Sequence, residues 1–128
     1  MKPSRVYLRY YKDTTEGDIQ NLGRALAHLH TVPKLIIRFE TNQMGWEYLG
    51  KSLSVLTELK EMTLRFSSCE KLEAKYILQA VENFKGMQQL TISFSNSKEI
   101  TQDDIMLMKS KLLESAGYKD CKLEISNT

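Results

Sequence analysis

Apolar positions along this chain change period repeatedly. Between Asn42 and Phe66 (NQMGWEYLGKSLSVLTELKEMTLRF), Leu49, Leu53 and Leu56 fall at helical spacing. Leu59, Met62 and Leu64 then follow the pattern L-x-x-L-x-L, which ends in the alternation of a half-buried strand. The same change of period recurs on both sides of this stretch. Val6, Leu35, Met62, Leu90 and Cys121 each open an alternating segment, at steps of 29, 27, 28 and 31 residues. A period of this length predicts one supersecondary unit stacked several times, each copy burying its apolar side against the next.

The first strand is predicted over residues 5–11, with Val6, Leu8 and Tyr10 inward and Tyr7, Arg9 and Tyr11 outward. A helix over 18–30 follows, with Ile19, Leu22, Leu26 and Leu29 as its buried stripe and Pro33 ending it. Val32, Leu35, Ile37 and Phe39 mark the second strand, and Asn42-Gln-Met-Gly45 a turn into a helix over 46–59 with Trp46 in the core. After the third strand (Met62, Leu64, Phe66), Ser68 is expected to cap a helix that turns Leu72, Ile77, Val81 and Phe84 inward and ends at Gly86. Leu90, Ile92 and Phe94 form the fourth strand. Thr101-Gln-Asp-Asp104 then starts a helix that runs to about Ser115, its early acids favoured by the helix dipole. Gly117 stops this helix, Tyr118 takes the place that Val32 has earlier, and Cys121, Leu123 and Ile125 make the last strand.

Short, evenly spaced helical crossovers require neighbouring strands to be parallel. The expected fold is therefore α/β and a single domain over residues 1–128. It is a short right-handed solenoid with five parallel strands on the concave face and four helices on the convex face.

The stretches Val32-x-x-Leu35-x-Ile37, Leu59-x-x-Met62-x-Leu64 and Met87-x-x-Leu90-x-Ile92 resemble the leucine-rich repeat. Their period resembles its ribonuclease-inhibitor-like, helix-containing branch. The paired Leu22-Gly23-Arg24-Ala25-Leu26 and Leu49-Gly50-Lys51-Ser52-Leu53 add to the likeness, as does Asn42-Gln-Met-Gly45. One departure stands out: where the family has Asn or Cys after the second strand leucine, this chain has Glu40, Ser67 and Ser95. Asn42, Cys69 and Ser97 fall two residues later in one column, where they are expected to hydrogen-bond loop backbone. The resemblance implies a protein-binding scaffold.

Composition narrows the alternatives. With 41% apolar and 27% charged residues the chain reads as an ordinary soluble protein, and no stretch reaches the ~18 apolar residues of a membrane span. The basic N-terminus runs straight into alternating apolar residues without a signal-peptide core. Two cysteines, Cys69 and Cys121, make no disulfide framework. An intracellular and most simply cytoplasmic protein is expected, with organelle import left open. A net charge of +2 does not by itself imply nucleic-acid binding. No cofactor motif, nucleophile elbow or metal spacing is present, so an enzyme is not expected. His28 and His30 point to different faces of a helix, and Asp103 and Asp104 are explained by the helix dipole.

The outward strand positions carry the functional expectation. Read across the repeats, one column is Arg9, Arg38, Arg65, Ser93 and Glu124, with Tyr7, Ile36, Thr63, Thr91 and Lys122 on one side. On the other side lie Tyr11, Glu40, Ser67, Ser95 and Ser126. Stacked arginines at a strand spacing of ~4.8 Å repel by ~1 kcal/mol per neighbouring pair in water. They add nothing to the fold, while an acidic partner meets planar donors that grip carboxylates in pairs. The expected site is Tyr7, Arg9, Tyr11, Ile36, Arg38, Glu40, Thr63 and Arg65, with Arg38, flanked by the other two arginines, as the most important. A protein partner with an acidic surface, within a larger assembly, is the first expectation. Nucleic acid meeting the arginines and nearby tyrosines is the alternative. Both ends of the sheet look open to pairing with another chain, guarded by Lys2, Arg5, Lys119 and Lys122.

Overall fold

The computed structural model describes residues 4–11, 14–40 and 46–127. Five strands, β1 (Val6–Tyr10), β2 (Lys34–Phe39), β3 (Glu61–Ser67), β4 (Gln89–Ser95) and β5 (Lys122–Asn127), form one sheet in the order β1-β2-β3-β4-β5. Every neighbouring pair is parallel. The broad expectation of an α/β chain with a five-stranded parallel sheet and helical crossovers is met. The expected turn at Asn42–Gly45, Asn42 itself and Lys2 lie outside the described residues.

Alternation of the sequence decides which side of the sheet is buried. Leu35, Ile37 and Phe39 on β2, Met62, Leu64 and Phe66 on β3, and Leu90, Ile92 and Phe94 on β4 are all at most 1% exposed. Residues between them stay accessible to solvent. Helices meet the buried side through Ile19, Leu22, Leu26, Leu49, Leu53, Ile77, Val81, Ile105, Met108 and Leu112, which join the strand residues in one core cluster. On β1, at the edge, Val6, Leu8 and Tyr10 are only half-buried, since among the described residues β1 pairs with β2 alone.

The crossovers are shorter and more broken than their apolar stripes suggest. The first is two helices, α1 (Glu16–Gln20) and α2 (Leu22–Ala27), parted at Asn21, which caps the C-terminus of one and precedes the other. The second is a 3₁₀ turn over Trp46–Tyr48 and α3 (Leu49–Leu53), although Leu56 and Leu59 beyond it remain buried. Ser68 does not cap the third helix. It takes a left-handed conformation (φ 56°) and donates its N–H to Ser95 O, and α4 (Ala74–Val81) begins only after Glu73. Leu72 is buried in the lead-in, so an apolar residue at helical spacing is no proof of helix.

α5 (Gln102–Leu113) starts as its sequence indicates. Thr101 Oγ1 accepts from Asp104 N–H, and the Asp104 carboxylate accepts from Thr101 N–H. Thr15 and Asp18 build the same reciprocal cap on α1. Gly23 and Gly50 let successive helices approach: a Cβ on Gly23 would stand 3.1 Å from Ser52 Cα, and one on Gly50 would stand 3.3 Å from Ala80 Cα. This contact explains the paired Leu-Gly-x-x-Leu stretches.

Register corrects one expectation. Val6, Leu35, Met62 and Leu90 share a row as their spacing indicates, but their neighbour on β5 is Leu123 and not Cys121. The last strand is displaced by two residues. Alternation specifies which face a residue takes, and a shift by two preserves that face, so the sequence pattern is blind to it. In the column of Arg9, Arg38, Arg65 and Ser93 the fifth member is therefore Ser126. Glu124 moves beside Thr91, and Lys122 beside Gln89.

Candidate binding face

Strand alternation turns all eight expected site residues to the accessible side. Tyr7 and Tyr11 are 53% and 52% exposed, Arg9 and Arg65 are exposed, and Ile36, Arg38, Glu40 and Thr63 are half-buried. Parallel register sets Arg9 beside Arg38 and Arg38 beside Arg65. One row away, Tyr7, Ile36, Thr63 and Thr91 run across four strands. The ladder continues past the strand end, where Glu40 N–H donates to Tyr10 O at 2.7 Å, and this fixes Glu40 opposite Tyr11.

Glu40 governs the electrostatics. A single carboxylate oxygen, Oε1, lies 3.1 Å from Nη2 of Arg9 and 2.7 Å from Nε of Arg38. Its carboxylate thus bridges the arginine of the previous strand and that of its own strand. Arg9 is held further by stacking over the Tyr11 ring, with Cζ 4.7 Å from the centroid. The Arg65 side chain makes no ion pair or hydrogen bond among the described residues. The position corresponding to Glu40 on its strand is Ser67, which cannot neutralise it. The ranking expected from spacing alone therefore changes: Arg38 is partly neutralised, and Arg65 is the available charge.

Other sequence candidates resolve into structural parts. Trp46 is 2% exposed and sits edge-on to Phe39 and Phe66 at 5.2 and 5.7 Å. Cys69 is buried, and its Sγ–H reaches Phe39 O of the preceding strand and Ser67 O, each at 3.6 Å. Ser97 Oγ–H donates to Ser95 O at 3.4 Å. Both residues thus bond backbone, but the carbonyls they reach are those of the last strand residues and not of the loops expected from their column. Burial raises the pKa of the Cys121 thiol, partly offset by a hydrogen bond with Leu90 backbone, so its nucleophilic thiolate is disfavoured. His28 and His30 are exposed, and Asp104 is engaged in its helix cap. Among the described residues no group of three or more His, Cys, Asp and Glu is placed to hold a metal ion, and no helix is long and apolar enough to cross a membrane.

One row of the face escaped the sequence reading: Lys34, Glu61, Gln89 and Lys122 are register neighbours at the strand starts. Polarity makes Lys34, Glu61 and Gln89 look like loop residues, although the repeat period marks them, and Lys122 is expected beside Thr91. A groove of about 370 Å³ runs beside this row, lined by Gln89, Thr91, Lys122, Leu123 and Glu124. On the helical side a concavity of about 290 Å³ lies between α3 and α4, lined by Gly50, Leu56, Ala80 and Phe84 among others. It brings together no titratable group except Lys85. No protein-family model, curated protein sequence or solved structure matches the chain.

Proposed function

We propose that the chain is a non-catalytic protein-interaction module, a subunit or adaptor of a larger assembly, that holds an acidic partner surface on the accessible face of its sheet. We infer as well that its architecture is a short leucine-rich-repeat solenoid of the ribonuclease-inhibitor-like, helix-containing kind, with that face as the concave side. Repeat steps of 27 and 28 residues between the register neighbours Leu35, Met62 and Leu90 support the architectural reading.

One observation carries the functional reading. Three arginines stand on three adjacent strands with one carboxylate between the first two, which leaves two net positive charges on the trio and its acid. Like charges held at strand spacing oppose folding. An acidic partner converts that unfavourable arrangement into charge-assisted hydrogen bonds. The exposed tyrosines and half-buried Ile36 and Thr63 beside the arginines offer the apolar contact that interfaces combine with arginine anchors. β1 and β5 each pair with one strand among the described residues, so a partner also has sheet edges to extend onto.

Nucleic acid is the second reading, favoured by the arginine and tyrosine mixture. It is weakened by Arg9, which lies over the ring of Tyr11 and is tied to Glu40. The test is site-specific photo-crosslinking from Thr63 on the sheet and from Gln79 on α4. A protein crosslinked from Thr63 only, and lost on Arg65→Glu, supports the proposal. Equal crosslinking from both sites, or capture indifferent to Arg65→Glu, overturns it. Crosslinking to RNA from Thr63 instead establishes the second reading.

A further inference from the structure

Resting on the reading of this face as the binding face, the geometry points to one defined anchor within it. We propose that the space between Arg38 and Arg65, over Ser67, is a seat for a single carboxylate side chain of the partner protein. Glu40 is the internal template. It follows Arg38 by two residues on the same side of β2, and its carboxylate joins Arg38 of its own strand to Arg9 of the strand before. The register repeats that arrangement one strand further on. Ser67 follows Arg65 by two residues on the same side of β3, and the strand before it offers Arg38 beside Arg65. Everything that holds Glu40 is thus duplicated except the acid.

The donors are available. Glu40 engages Arg38 through Nε, and neither Nη group of Arg38 is engaged among the described residues. Arg65 keeps its whole guanidinium fork. A carboxylate accepts from two guanidinium groups at once, and a short hydroxyl below it leaves room that a larger side chain at Ser67 would take. Carboxylate is preferred to phosphate because the anion already held on this face, Glu40, is a carboxylate, gripped by the register-equivalent pair of arginines, Arg9 and Arg38. The next copy of the arrangement is incomplete, since Ser93 replaces the arginine on β4. The face therefore has one filled carboxylate position and one open one.

Two measurements test the seat. In the first, Ser67→Glu supplies the missing acid from within the chain. It should raise the melting temperature at low salt, and Arg65→Ala in the same chain should remove the gain. No gain, or a gain that survives Arg65→Ala, overturns the proposed geometry. In the second, a short fluorescein-labelled peptide of alternating Glu and Ala is titrated against the full chain by anisotropy, with circular dichroism to verify folding.

Ser67→Glu and Arg65→Ala should each weaken binding by about tenfold or more, and Glu40→Gln should strengthen it by opening a second position. Gln79→Glu on α4, with the same change of charge, should shift binding by less than about twofold. If Arg65→Ala weakens binding but Ser67→Glu acts no more strongly than Gln79→Glu, the seat is refuted and the wider face reading stands. If the wild-type chain ignores the peptide, both fall. Tighter binding of an oligothymidylate of equal charge at about 150 mM salt overturns the choice of carboxylate.

Discussion

Two ladders run across the same strands one residue apart, and they have opposite energetics. On the buried side Tyr10, Phe39, Phe66 and Phe94 stack in sequence, with ring centroids 5.5, 5.1 and 5.4 Å apart and nearly parallel planes. On the accessible side Arg9, Arg38 and Arg65 occupy the preceding positions in the same register. Repetition of one side chain at strand spacing stabilises when the side chain is aromatic, since neighbouring rings bury each other's apolar area. It destabilises when the side chain is a cation, and there a carboxylate is needed between neighbours. Glu40 supplies one between Arg9 and Arg38, and among the described residues Arg65 is left without. A single register thus builds the core with one column and concentrates unspent charge with the next.

The comparison is broken most severely in the aromatic ladder. Phe66 touches Phe39, Phe94 and Trp46 and is 1% exposed. Phe66→Ala should cost about 3–5 kcal/mol in chemical denaturation. Tyr10→Ala, at the half-buried edge, should cost clearly less. Equal costs would mean that the ladder is not a graded stack.

A second effect lies at the other end of the core, where Tyr118 is 1% exposed and its hydroxyl donates to Val81 O. Burial, with a smaller contribution from Cys121, raises the Tyr118 pKa well above the ordinary tyrosine value of 10.0. Unfolded tyrosine then releases its proton at a lower pH than folded tyrosine. Its stabilisation is complete below about pH 10 and declines as pH rises beyond that value. Tyr118→Phe should lose about 1 kcal/mol at neutral pH and show a shallower fall in alkaline denaturation. An unchanged alkaline slope would remove Tyr118 as its source.

The arginine ladder yields smaller effects on folding. Removing the bridging charge by Glu40→Gln should destabilise by about 0.5–1 kcal/mol at low salt, and high salt should reduce the loss. A loss independent of salt would mean that Glu40 acts by packing. The smallest expected effect on stability is that of Arg65→Glu, within about 0.5 kcal/mol of wild type by thermal melt. The same change should weaken an acidic partner by about tenfold or more. This divergence between stability and binding is what separates the two ladders most sharply. If Arg65→Glu leaves partner affinity unchanged, the accessible ladder is only a solvated surface.

Particular residues show what could be read from the chain and where reading stopped. The alternation of Leu35, Ile37 and Phe39, and its echoes on β3 and β4, marked the buried side correctly, because a strand has only two faces and apolar residues take the dry one. Thr101-x-x-Asp104 marked a helix start because its cap is made within four residues. Thr15-x-x-Asp18 carries the same signal and places the start of α1 at Glu16, two residues before the helix expected from Asp18. Ser68, by contrast, looked like a cap and is a left-handed loop residue, since its N–H is claimed by Ser95 of the next strand.

By itself, the sequence determined the number of strands, their buried faces, the parallel order and the accessible row of arginines, all of which follow from local period and short connections. Tertiary structure alone decided two other matters. The register of β5 brings Leu123 beside Leu90, because a slip by two residues leaves every side chain on its face and no apolar pattern registers it. The pairing of Glu40 with Arg9 and Arg38, and so the isolation of Arg65, depends on which guanidinium a carboxylate from another strand can reach. Side-chain reach across strands fixes that choice, and residues that lie 31 apart along the chain, such as Arg9 and Glu40, carry no sign of it in their spacing.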